Sequence, residues 1–107
     1  MAKYFNITGA SSAAAELTRE LLAPGDNEIV KEVALTNIHA TTTCSVDLYI
    51  EKKLTGRFYL LKGIDLPVKT TLSVTTGDFN NATGEYGLYI KLTKSASEVP
   101  TVDVILK

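Results

Sequence analysis

Three stretches of this chain alternate between apolar and polar side chains with a period of two. Val46, Leu48 and Ile50 alternate with Ser45, Asp47, Tyr49 and Glu51. Tyr86, Leu88, Ile90 and Leu92 alternate with Gly87, Tyr89, Lys91 and Thr93, and Val102, Val104 and Leu106 with Thr101, Asp103 and Lys107. Such a pattern gives a strand one buried face and one wet face. A helix would need apolar positions three and four apart. The abundance of Thr, Val and Ile agrees, because β-branched side chains lose little on a pleated surface and more in a helix.

The same reading extends along the chain. It predicts strands over 3–8, 16–23, 28–38, 44–52, 57–63, 64–67, 70–76, 86–93 and 100–107. Turn chemistry falls between them. Pro24-Gly25-Asp26-Asn27 combines a preset φ with residues that tolerate positive φ. Leu54-Thr55-Gly56 fits a short hairpin loop, residues 77–84 form the longest turn-rich segment, and residues 94–98 form another. Ser12 and the alanines after it favour a helix, but Leu17, Arg19 and Leu21 alternate with Thr18 and Glu20, so strand is expected from Leu17. Short strands at regular spacing predict an all-β fold, an antiparallel β-sandwich or jelly roll.

The 107 residues suit one domain large enough to bury its own core. The expected division is an N-terminal arm, 1–15, and a single sandwich domain, 16–107. A single Cys precludes an internal disulfide. The net charge of −1 comes with scattered Lys and Arg and no basic stripe, which argues against nucleic acid as a partner. No apolar run approaches a membrane span, and the N-terminus has no continuous apolar stretch of the signal-peptide kind.

His39 and Cys44, each the only one of its kind, flank the connection Ala40-Thr41-Thr42-Thr43. A zinc site needs three or four converging ligands, and here only Asp47 lies nearby. A nucleophilic pair needs a lowered thiol pKa and an oriented base, and nothing resembling an oxyanion loop accompanies these two. The simpler reading is an apolar Cys starting a strand and a polar His at a turn. The carboxylates are dispersed, with no pair set apart by spacing. Asp78, Asn80, Asn81 and Glu85 offer oxygen ligands for Ca²⁺, without EF-hand spacing; long turns use the same residues. The expectation is no enzyme, no cofactor and no metal.

Outward positions carry more information. If Val46, Leu48 and Ile50 face the core, Tyr49 faces out, and by the same argument so does Tyr89. Tyr59 joins them if Phe58 and Leu60 are the buried pair. Outward tyrosines combine a large apolar body with a polar tip, which suits protein or sugar contacts. The arm carries Tyr4, Phe5 and Ile7 in a short apolar strand. It buries little by itself, so it adds either to the domain's own sheet edge or to a neighbouring subunit.

Leu35-Thr36-Asn37-Ile38-His39, Val46-Asp47-Leu48-Tyr49-Ile50, Phe58-Tyr59-Leu60-Leu61-Lys62 with Leu66-Pro67, Gly87-Leu88-Tyr89-Ile90-Lys91-Leu92 and Val102-Asp103-Val104-Ile105 follow one another in a fixed order of strand patterns. From about Glu28 to the C-terminus the chain resembles small virion structural proteins of tailed bacteriophages, those of marine and cyanobacterial phages in particular. The resemblance implies a non-enzymatic role in the virion, foremost as a capsid decoration (cement) subunit. A neck, tail or baseplate component is the alternative. Its partners would be other virion proteins and further copies of itself, contacted through Tyr4, Phe5, Ile7, Tyr49, Tyr59 and Tyr89. A carbohydrate-binding or adhesive β-sandwich module is the competing reading from another class.

Overall fold

The computed structural model describes residues 3–8, 16–41, 43–52, 56–82, 84–94 and 101–107. Eight strands follow in chain order: β1 (Lys3–Thr8), β2 (Glu16–Leu22), β3 (Ile29–Asn37), β4 (Cys44–Lys52), β5 (Gly56–Leu66), β6 (Thr71–Asn80), β7 (Tyr86–Lys94) and β8 (Thr101–Leu106). They form two four-stranded sheets, ordered β1-β8-β3-β6 and β2-β7-β4-β5, and every pairing is antiparallel. First pairs with last, second with seventh, third with sixth and fourth with fifth. The chain is thus one long hairpin wound around a common core, which is the jelly-roll arrangement.

The core lies between the sheets and takes the apolar half of each alternating run. Val33, Leu35, Val102, Val104 and Leu106 from the first sheet meet Val46, Leu48, Leu88, Ile90 and Leu92 from the second, all buried. Each such side chain contributes roughly 1.5–3 kcal/mol on burial.

Two sequence expectations change. The runs 57–63 and 64–67 are one strand, β5, and β6 runs on to Asn80 through residues read as a turn. The cause is the same in both strands. β5 carries extra residues opposite β4 between Val46 and Tyr49, and β6 carries extra residues opposite β3 between Val30 and Glu32. Gly63 (φ 62°) and Gly77 (φ 63°) sit in these bulges, where positive φ takes up the additional residue without ending the strand.

Of the segment expected as an arm, the described residues 3–8 add to the domain's own sheet edge, one of the two placements expected for it. β1 pairs along its whole length with β8, and Ile7 is fully buried in the core. From Glu16 the chain is strand, as the alternation predicted; the helix alternative at Ser12 and the hairpin loop at 54–55 fall outside the described residues. The Pro24-Gly25 turn forms as expected, closed by the Asp26 amide on the Ala23 carbonyl at 3.2 Å.

Candidate interaction surfaces

The outer face of the second sheet carries the tyrosines. Strand register sets Glu20 opposite Tyr89, Tyr89 opposite Tyr49, and Tyr49 opposite Tyr59, so one row crosses all four strands. Tyr49 and Tyr89 stack with centroids 5.6 Å apart and planes at 15°, while Tyr59 tilts against Tyr49 at 5.3 Å and 53°. The Arg57 guanidinium lies 4.7 Å from the Tyr49 centroid, and Lys62 Nζ lies 4.3 Å from that of Tyr59. Tyr89 Oη donates to a Glu20 carboxylate oxygen at 3.2 Å, and Glu51 holds Arg57 Nε at 3.3 Å. Burial pushes the phenols of Tyr49 and Tyr89 up, whereas a hydrogen bond with Arg57 brings that of Tyr59 down.

Alternation thus predicted the correct face for Tyr49 but not its cover. The ring is only 1% exposed, because Tyr59, Tyr89 and Arg57 close over it. The row is consequently not the open platform that three outward rings would offer a sugar. Its rings are engaged with one another and with the cations, and each aromatic pair adds about 0.5–1.5 kcal/mol beyond area burial. On this face Glu20 on β2 and Tyr59, Arg57 and Lys62 on β5 are exposed to solvent. Phe58, whose burial with Leu60 was the condition for an outward Tyr59, is 52% exposed and meets Tyr86 edge-on at 6.0 Å.

The outer face of the first sheet carries one mostly apolar row beside a polar one. Tyr4, Ile105, Ala34 and Ser73 form one cross-strand row, and Asn6, Asp103, Thr36 and Thr71 form the next. Asn6 Nδ2 donates to Asp103 Oδ1 at 2.7 Å, and the Thr36 and Thr71 hydroxyls bond at 2.8 Å. Tyr4 stands above this floor at 73% exposure. Beside it runs a shallow groove of about 290 Å³, lined by Tyr4, Phe5, Asn6, Asp103, Val104 and Ile105. Of the three contact residues expected in this strand, only Tyr4 is fully available. Phe5 packs partly against the core, and Ile7 lies within it because inward positions of β1 face the sandwich interior.

His39 and Cys44 are part of the architecture. The His39 amide donates to Asn37 Oδ1 at 3.0 Å, and His39 Nδ1 accepts from the Thr41 amide at 3.1 Å, which shapes the β3–β4 connection. Cys44 is buried, and burial together with the charge of Asp65 pushes its thiol up to about 11. That is the opposite of an activated nucleophile. Asp47 accepts from the Gly63 amide at 2.5 Å and so holds the β5 bulge. Asn81, one of the oxygen donors in the calcium reading, is buried and bridges two loops: its Oδ1 accepts from the Glu28 amide at 2.9 Å and its Nδ2 donates to the Ala23 carbonyl at 2.5 Å. Asn37 does the same at the other end, donating to the Leu66 carbonyl at 2.9 Å. The bonds of Asn37 to Leu66, Asp47 to Gly63 and Asn81 to Ala23 and Glu28 have no local sequence signal, since each joins residues far apart in the chain. Among the described residues, no three His, Cys, Asp or Glu side chains gather as metal ligands would.

No family model matches the chain, and no curated protein sequence matches it significantly. Solved structures do share its fold. The Yersinia pseudotuberculosis-derived mitogen superimposes with a TM-score of 0.61 at 10% identity, over 100% of this chain and 85% of that one. PirA gives 0.62 at 10% identity, over 96% and 91%. A chain of the infectious bursal disease virus Gx strain gives 0.50 at 12% identity, over 97% of this chain and 29% of that one. At these identities the likeness establishes the fold and nothing finer.

Proposed function

We propose that this chain is a non-enzymatic structural protein of a virion, serving as a capsid decoration subunit of a tailed bacteriophage. The observation that carries this reading is the nested strand order β1-β8-β3-β6 over β2-β7-β4-β5, a jelly roll of the kind found in viral capsid domains as well as in lectins and cupins, together with the superposition of a chain of infectious bursal disease virus on 97% of this one. The sequence resemblance to small phage virion proteins supports the same role. So does the engagement of His39, Cys44, Asp47 and Asn81 in turns, core and bulge, which leaves a rigid body that works through its surface. Many weak contacts repeated over a symmetric particle suffice to hold such a subunit.

The test is add-back. Particles produced without this chain are mixed with the purified protein and sedimented. Saturable co-sedimentation is expected; protein that stays in the supernatant at all concentrations contradicts attachment to the particle.

A further inference from the structure

A sandwich of two open sheets has four edge strands, here β1, β6, β2 and β5. Every edge strand exposes unpaired backbone groups, and proteins blunt edges with bulges that twist them away from a partner. Three of the four are treated in this way. The register shifts put extra residues on β2 at Leu21, on β5 twice, and on β6 around Gly77. β1 has none. Its register with β8 is unbroken from Lys3↔Leu106 to Thr8↔Thr101. Tyr4, the most exposed large apolar side chain among the described residues, projects from this strand, and the groove beside it lies where β1 meets β8. Regular backbone and the most exposed aromatic among the described residues thus coincide on β1.

From this we infer that β1 is a docking edge on which a second copy of this chain pairs antiparallel through its own β1, joining two four-stranded sheets into one. The strand's own residues favour self-pairing. Residues opposite each other in an antiparallel pair share a face, so only registers that keep Phe5 and Ile7 on the inner face are allowed. Centring the two-fold axis on Asn6 sets Phe5 against Ile7 inside and Tyr4 against Thr8 outside. These are an apolar pair and an aromatic–β-branched pair, both favourable across strands. Centring it on Phe5 instead would set Lys3 against Ile7, a charge against an apolar side chain. The Asn6-centred register leaves Lys3, the one charged residue of β1, outside the ladder, where its ammonium already lies 3.8 Å from Glu28. An overlap of Tyr4–Thr8 is small beside the roughly 1,000 Å² that a stable interface clears. Pairing is therefore weak in free solution, and it gains where copies are held close. The inference concerns the free protein and does not require the virion reading.

The test compares Asn6→Cys with Ser73→Cys, both exposed positions on the outer face of the first sheet. Cα partners at the axis bring Asn6→Cys thiols together, whereas Ser73 lies on the opposite edge strand. Under mild oxidation Asn6→Cys should form a symmetric disulfide dimer at least about tenfold faster than Ser73→Cys, since pairing raises the effective thiol concentration. The unaltered protein should show a weight-average mass that rises with concentration in sedimentation equilibrium. Equal cross-linking of the two variants overturns the inference, even if the protein self-associates, because the association then uses another surface. A strictly monomeric protein at millimolar concentration overturns it as well. Cross-linking of Asn6→Cys to a different chain in purified particles, with none to itself, would assign the edge to that chain instead.

Discussion

Gly87 and Tyr89, both on β7, are bound by a steric relation: a Cβ at residue 87 would stand 2.9 Å from Tyr89 Cε2 and 3.0 Å from its hydroxyl, and 2.9 Å from the Leu22 carbonyl oxygen. The ring of Tyr89 lies back over the bare backbone of Gly87 while it stacks on Tyr49. Replacing Gly87 by Ala should force both β2 and the ring to shift, at about 1–3 kcal/mol, the usual cost of overpacking. Thermal unfolding checks this, and an unchanged Tm would show that the ring moves aside freely.

The tyrosine row separates a covered ring from an open one. Tyr49→Ala should cost about 3–5 kcal/mol, as for other buried aromatics truncated to Ala. Tyr59→Ala, which removes an exposed edge ring, should cost about 1 kcal/mol, the size of one aromatic contact. Urea denaturation of both variants measures the difference; equal losses would mean that Tyr49 is not covered in solution.

The two buried asparagines predict a further pair of losses. Asn37→Ala leaves the Leu66 carbonyl and the His39 amide without their side-chain partner, and Asn81→Ala does the same to the Ala23 carbonyl and the Glu28 amide. An unsatisfied buried polar group costs about 1–3 kcal/mol. Both variants should unfold at clearly lower urea concentration than an exposed control such as Asn80→Ala.

Cys44 gives a pH dependence whose sign is fixed. Its thiol is pushed from the ordinary 9.0 up to about 11 in the folded chain. Below pH 9 both states hold the proton, and the stabilisation is fully present. Between pH 9 and about 11 the unfolded chain releases the proton first, so stability falls as pH rises. Cys44→Ala should show a shallower decline over that window than the unaltered chain. Parallel curves would remove Cys44 as the cause.

The strands were legible because their inner faces alternate, and β4, β7 and β8 lie where Val46–Ile50, Tyr86–Leu92 and Val102–Leu106 placed them. The bulges were not. Gly63 reads locally as a strand break and Gly77-Asp78 as a turn, and only pairing with β4 and β3 shows that the chain continues straight through. The same limit governs the surface. Alternation gives the face on which Tyr49 lies, but the rings that cover it come from β5 and β7, whose register no local pattern encodes. Ile7 illustrates the converse, since an isolated short strand reads as an arm until its partner, β8, is known.

The copy number of this chain in purified particles from its source, measured by quantitative mass spectrometry against the major capsid protein, tests the account most directly. A shell decoration subunit is expected at a number comparable to that of the capsid protein. A far lower number would move the protein to the neck, tail or baseplate and contradict the decoration role, and absence from the particle would contradict the virion role altogether.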